Sequence, residues 1–269
     1  MICLNLEERS VRTIADIYTF KRVEKKYRVT AQDKENLLSE IGDHLIPDSH
    51  GKSTICSLYL DTPDFLLIRN SIAARTYKEK LRIRSYGTPD ENGRVFFEIK
   101  KKFKGVVYKR RVSMTLSQAE NYIEHGLRPE ESQIMSEIDY TMSFYRQPKP
   151  RMLIAYERDA FYVKDMPNLR ITFDSNIRYR QEDLFLEHGN KGKTLLPEDV
   201  YIMEVKTDGA MPLWLSHALA KCEILPSSFS KYGTAYNEQL AIKLKNTRER
   251  TSADSKDVLP REACEYVTV

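Results

Sequence analysis

The sequence predicts an α+β protein: an antiparallel β-barrel that encloses a tunnel, with helices packed outside it. Two observations predict the barrel. The first is the strand from Arg22 to Val29, which alternates with period two. It sets Arg22, Glu24, Lys26 and Arg28 on one face against Val23, Lys25, Tyr27 and Val29 on the other. The second is recurrence. Lys80, Arg82 and Arg84 oppose Leu81 and Ile83, Glu98 and Lys100 oppose Phe97 and Ile99, and Glu204 and Lys206 oppose Met203 and Val205. One strand with a charged face reads as an edge facing water. Four such strands, mostly cationic with a few lone glutamates, read as one shared surface. If they close with those faces inward, they line a basic bore.

The other elements follow in order. Ser10 to Tyr18 carries Val11, Ile14, Ala15, Ile17 and Tyr18 near helical spacing. After the first strand, Thr30 is an N-cap with Asp33 as its capping-box partner, opening a helix to about Ile41. Residues 47–51 form a loop. Ser53 to Leu60 is a strand closed by the turn Asp61-Thr62-Pro63-Asp64, and a short helix spans Phe65 to Ala74. Strands 77–86 and 94–103 flank a turn and make a hairpin. Gly105 turns the chain into a strand from Val106 to Met114. Thr115 or Ser117 starts a helix through His125, and residues 129–146 are helical until Pro148 and Pro150 end them. Strands 152–163 and 169–180 come next, then a polar loop over 187–199 and a strand over 200–207. A helix from Leu213 to Leu225, a loop over 226–232 and a last helix over 233–245 complete the domain, which spans residues 1–245. Residues 246–269 are polar and charged, and are expected to be a disordered tail.

Composition narrows the function. Of 269 residues, 41% are hydrophobic and 30% charged, enough for a sizeable core. The net charge of +4 does not by itself imply nucleic acid; the clustering on strand faces says more. Cys3, Cys56, Cys222 and Cys264 are far apart, with no C-x-x-C and no histidine at metal spacing, so zinc and redox motifs are poor readings. Reduced thiols suit the cytosol. No apolar run approaches the roughly 18 residues of a membrane span, and Glu7, Glu8 and Arg9 interrupt any signal-peptide core. The expected location is the cytoplasm. His44, His50, His125, His188 and His217 show no nucleophile partner or ligand spacing and read as surface or ordinary core. Tyrosines and phenylalanines interleaved with cations also suit single-stranded nucleic acid. Glutamates on the same faces argue against it, and no nucleic-acid partner is expected.

An ordered set of eight segments carries a family resemblance. It comprises Glu24-Lys25-Lys26-Tyr27-Arg28, Tyr59-Leu60-Asp61-Thr62, Leu81-Arg82-Ile83-Arg84 and Phe97-Glu98-Ile99-Lys100. It continues with Tyr156-Glu157-Arg158-Asp159-Ala160-Phe161, Leu169-Arg170-Ile171-Thr172-Phe173-Asp174, Met203-Glu204-Val205-Lys206 and Phe229-Ser230-Lys231-Tyr232. Together, over about residues 20–240, these resemble the VTC domain, the polyphosphate polymerase branch of the triphosphate tunnel metalloenzymes, which also include the CYTH phosphohydrolases. The resemblance implies a triphosphate tunnel fold, a divalent metal (Mn²⁺ or Mg²⁺), and transfer of the γ-phosphoryl group of ATP to a growing polyphosphate. It assigns phosphate binding to Lys26, Arg82, Arg84, Lys100, Arg158, Arg170, Lys206 and Lys231, and metal binding to Glu204. Lys26, Arg82, Arg84 and Lys206 are the residues set against ATP itself. The sequence departs from the pattern twice. Arg22 stands where the hydrolase branch has a first acid, which favours the polymerase branch, and Ser228 stands where some eukaryotic members have lysine. With no SPX-type segment in the sequence, control by inositol phosphates through a fused domain is not expected. A triphosphate hydrolase and a non-catalytic polyphosphate sensor are the alternatives, and a membrane protein is a candidate recipient of the polymer.

The chemistry needs these residue types. Phosphoryl transfer asks for positioning and charge neutralisation more than covalent help. A polyphosphate is charged at every unit, so its tunnel needs cations along its length. Arginine grips phosphate bidentately and lysine supplies a point charge. A carboxylate in such a bore has a purpose if it holds a hard divalent ion against phosphate. Glu24 with Lys26 also reads as a plain strand-face pair, and Glu98 reads as structural. Glu157 and Asp174 are expected either to pair with Arg158 or Arg170 or to assist the metal. Lys101, Lys102 and Lys104 read as a solvated run, and Lys109 or Arg111 as further bore residues.

Overall fold

The computed structural model describes residues 23–49, 51–74, 76–104 and 106–254. The expected helix at Ser10 to Tyr18, Arg22, His50, Gly105, Cys3, Cys264 and the segment beyond 254 lie outside the described residues.

Six strands of the sheet come before the middle of the chain: β1 (Val23–Thr30), β2 (Leu45–Pro47), β3 (Ser53–Asp61), β4 (Tyr77–Tyr86), β5 (Arg94–Phe103) and β6 (Val106–Thr115). Five follow: β7 (Lys149–Val163), β8 (Met166–Arg180), β9 (Lys193–Thr194), β10 (Val200–Thr207) and β11 (Pro226–Ser227). All pair antiparallel, in the order β11-β1-β10-β8-β7-β3-β4-β5-β6, with β2 and β9 alongside β7 and β8. Among the described residues no ladder joins β11 to β6, so hydrogen bonds do not close the sheet. It nevertheless curls. Lys100 on β5 reaches Glu24 on β1 at 3.7 Å although five strands lie between them in the order. Lys80 on β4 likewise donates to Ser230, just past β11, at 2.8 Å.

The alternation read from the sequence decides which face each helix covers. Leu81, Ile83, Phe97 and Ile99 turn outward into one core, shared with α3 (Leu116–His125) and α4 (Gln133–Phe144). Tyr27, Val29, Met203 and Val205 turn outward into a second, shared with α1 (Ala31–Ile41) and α5 (Leu213–Lys221). Each apolar side chain fully buried this way contributes on the order of 1.5–3 kcal/mol relative to exposure. Thr30 and Asp33 form the expected capping box on α1, and Thr115, rather than Ser117, caps α3 with Gln118 as its partner.

A third core lies on the concave face. Ile55, Met152, Ile154, Ile177 and Ile202 are covered by Ile68 of α2 (Leu66–Ala73) and by Tyr232 and Ala235 of α6 (Lys231–Asp254). The strand pattern does not announce this, because α6 reaches inside the curl.

Several boundaries move. α4 stops at Phe144, before either proline, because Arg146 and Gln147 adopt left-handed φ of 56° and 59° and the Gln147 amide closes onto Met142 O at 2.7 Å. Pro150 then sits inside β7, at the register shift opposite Leu60, where a missing N–H is tolerated. α5 ends at Lys221 instead of Leu225. Glu223 is left-handed (φ 55°) and the Ile224 amide bonds Leu219 O at 2.9 Å. The segment expected as loop over 226–232 supplies β11 and the first turn of α6, and α6 runs on through Asn246 to Asp254.

Candidate active site

The concave faces of β1, β4, β5, β6, β7 and β10, with the N-terminus of α6, enclose a cavity of about 480 Å³. Nine cations line it from these elements, Lys26, Lys80, Arg82, Arg84, Lys100, Lys109, Arg158, Lys206 and Lys231, against two lining carboxylates, Glu24 and Glu204; Arg110 touches the rim from the outer face of β6, where Glu137 of α4 holds it at 3.4 Å. Lys80, Arg82 and Arg84 share one face of β4 at a two-residue repeat of roughly 6.6 Å. The hairpin with β5 sets Lys100 beside Lys80 and Glu98 beside Arg82.

Two buried carboxylate centres hold most of these cations. At the first, Glu204 sits opposite Lys26 in the β1–β10 ladder. Lys206 approaches it at 2.6 Å, Lys26 at 3.3 Å, Arg158 at 3.5 Å and Lys231 at 3.7 Å. Burial opposes its charge, but Lys206, Lys231, Lys26 and Arg158 outweigh burial and hold the carboxyl well below the usual range. Behind it Asp174, fully buried, takes Arg158 bidentately at 2.6 and 2.7 Å and Lys231 at 2.5 Å. Burial disfavours a charged Lys231, yet Asp174 and Glu204 raise its pKa well above normal, so it stays protonated. At the second centre, Glu98 bridges Arg82 and Lys109, each at 2.7 Å. Burial opposes ionisation there too, and Arg82, Arg84 and Lys109 together lower the pKa to about 2.

Two cations have no carboxylate within salt-bridge distance among the described residues. The Arg84 guanidinium meets only the hydroxyls of Ser57 and Tyr156, each at 3.4 Å, and Lys80 meets Ser230 Oγ. Burial first, then repulsion from Lys100, Lys26 and Arg82, lowers the Lys80 pKa to about 8. The Tyr59 hydroxyl accepts from Arg82 at 3.2 Å. Burial would raise its pKa, but Arg82, Lys80 and Arg84 bring it down to about 8. A site that titrates a tyrosine and a lysine together near 8 has more positive charge than its own acids neutralise.

The chemistry of the donor set decides which metal arrangement fits. Among the described residues no group of three His, Cys, Asp or Glu is arranged to hold an ion. Glu24 and Glu204 do converge, since both approach Lys26 Nζ, at 3.5 and 3.3 Å. Mg²⁺ and Mn²⁺ are commonly held by one or two carboxylates with water and substrate phosphate completing the shell. The pair fits an ion that arrives with phosphate, and does not fit an all-protein cage.

Seven of the eight expected phosphate ligands line the cavity, and so does the expected metal ligand Glu204. Arg170 does not. It faces Lys206 across the β8–β10 ladder, but its guanidinium is taken by Asp48 at 2.6 Å and lies over the Tyr162 ring. Asp174 pairs with Arg158 as one of the expected alternatives. Glu157 instead pairs with Arg178 at 3.3 Å, on the other face of β7. Lys101 leaves the solvated run to approach Glu79 at 3.2 Å. The sequence reading set Lys80 on the bore face without assigning it a phosphate, and gave Tyr59, Tyr156 and Ser230 no site role. Alternation alone places Lys80 beside Arg82; the tyrosines carry no such signal, because their role depends on which arginine the fold brings to them.

The VTC domain family profile matches residues 21–239. No curated protein matches the chain. Among solved structures, a Hippeastrum protein is similar at 14% identity and TM-score 0.49, covering 81% of this chain and 96% of its own; it is described as a candidate adenylyl cyclase with a dominant triphosphatase activity. A candidate adenylate cyclase of Bacillus halodurans is similar at 14% identity and TM-score 0.48, covering 78% of this chain and 93% of its own. Likenesses at such scores carry no argument of their own.

Proposed function

The chain belongs to the VTC domain family, and from that premise we propose that it makes inorganic polyphosphate, transferring the γ-phosphoryl group of ATP to a growing chain in the charged cavity. One observation carries the reading: nine cations from seven separate elements converge on one cavity that, among the described residues, two carboxylates line. An array of that sign suits a ligand charged along its whole length.

The roles divide by position. Arg82 and Arg84 offer two forks along β4 for phosphate oxygens, with Lys26 and Lys206 as point charges across the cavity. Lys100, Arg158 and Lys231 extend the array, and Arg170 serves only if it leaves Asp48. Arg158 and Lys231 are already anchored on Asp174, so binding need not order them again. Glu204, with Glu24 beside it, would hold Mn²⁺ or Mg²⁺, which when bound neutralises charge on the reacting phosphates. We place the enzyme in the cytoplasm and leave a membrane protein as candidate recipient of the polymer. Among the described residues no helix is long and apolar enough to cross a membrane.

The test is product analysis. Pure protein is incubated with ATP and Mn²⁺ or Mg²⁺, and products are resolved by gel electrophoresis and phosphorus NMR. A ladder of long chains with ADP is the expected result. ADP with free phosphate would make the protein a hydrolase, and binding without turnover would make it a sensor.

A further inference from the structure

The inward face of the β4–β5 hairpin changes character along its length. The ladder reads Lys78 with Lys102, Lys80 with Lys100, Arg82 with Glu98, and Arg84 with Phe96. One step past Arg84 stands Tyr86, which pairs with Ile55 of β3 on the same face. The row is thus cationic at one end and aromatic at the other. At the aromatic end the Tyr86 and Phe96 rings meet edge to face, with centroids 5.8 Å apart and planes at 85°. The Arg111 guanidinium, set on this face by its pairing with Glu98, lies 4.8 Å from the Phe96 centroid. Tyr86 is 53% exposed.

Single exposed aromatics are ordinary. Two rings and a guanidinium plane in contact, on the cavity-lining face and one strand step beyond an arginine with no carboxylate partner, are a composite surface. A ligand of phosphates alone gains from cations at both ends. An aromatic end suits a ligand with a flat π-surface at one end of its phosphates, since bases stack on tyrosine, phenylalanine and arginine planes. We propose that Tyr86, Phe96 and Arg111 form a stacking platform for the base of a nucleoside triphosphate whose phosphates enter the cavity past Arg84. This rests on the phosphate reading above and adds what that reading lacks, a reason to take a nucleotide in preference to an inorganic phosphate chain.

The experiment compares two ligands by calorimetric titration: β,γ-methylene ATP, which keeps the base, and inorganic tripolyphosphate, which lacks it. In Tyr86→Ala the nucleotide is expected to bind about tenfold more weakly, within the range one stacked base contributes, with tripolyphosphate affinity changed less than about twofold. Tyr86→Phe, which keeps the ring, is expected to bind both as wild type does. Tripolyphosphate binding also reports that the exposed-site variant is folded. If wild type binds tripolyphosphate and Tyr86→Ala leaves nucleotide affinity unchanged, or weakens both ligands equally, the platform is wrong while the phosphate reading stands. A wild-type protein that binds neither ligand overturns both.

Discussion

The concave face of the sheet is divided in two. Where α6 and α2 cover it, the inward residues are Ile55, Met152, Ile154, Ile177 and Ile202. Around the cavity, which α6 touches only with its N-terminal end among the described residues, they are Lys80, Arg82, Arg84, Lys100, Glu204 and Lys206. The apolar part is explained by folding, because its side chains leave water and meet a helix. The charged part is not. Gathering cations in a half-enclosed space costs self-repulsion and desolvation, which the paired acids only partly offset. The difference separates residues that serve the fold from residues held in place against it, and it can be probed from both sides.

The largest effect is expected at Glu204→Gln, which keeps the shape and removes the charge between four cations. Turnover should fall on the order of a hundredfold, as when one preorganised electrostatic group is lost. The metal concentration for half activity should rise, while polyphosphate binding without metal is preserved or tightened. Unchanged metal dependence with weaker metal-free binding would instead make Glu204 a structural partner of its neighbouring cations.

Arg84→Ala and Lys206→Ala come next. Each should lower turnover severely with little change in melting temperature, and reduce the salt dependence of polyphosphate binding by about one unit of slope. Ile154→Ala, in the apolar part, should do the reverse. Stability should fall by roughly 2–5 kcal/mol, while the molecules that remain folded bind tripolyphosphate as before. Charged-part and apolar-part variants that behave alike in denaturant melts and binding titrations would dissolve the distinction.

How much of this division could be read beforehand follows from what alternation encodes. Period two assigns Leu81 and Arg82 to opposite faces, and both the outer cores and the charged row were legible that way. Which remote segment comes to lie on a face is not local information. That is why the covering of Ile154 by Tyr232, the capture of Arg170 by Asp48 and the pairing of Lys80 with Ser230 were missed. Glu157 differs: alternation along β7 already sets it on the face opposite Arg158, but the remote partner it meets there, Arg178, is again not local information.

The smallest effect is one of pH. Lys80 and Tyr59 both titrate near 8 in the ligand-free fold. As pH rises through 8, Lys80 loses a positive charge and Tyr59 gains a negative one, and both changes disfavour an anion. Tripolyphosphate affinity should drop several-fold between pH 7 and 9, and Lys80→Arg with Tyr59→Phe should flatten that profile in the same titration. For stability the sign is opposite at Lys80. Its lowered pKa is a cost to the folded state that is relieved between pH 8 and 10.5. Glu98 contributes stability that is full above pH 4.5 and lost as pH falls toward 2.

The most direct test is the crystal structure with tripolyphosphate and Mn²⁺. The account predicts phosphates in contact with Arg82, Arg84 and Lys206, and the metal bridging Glu204 to a phosphate oxygen. Tripolyphosphate bound at an outer surface, with the cavity cations still closed on their own carboxylates, would contradict it.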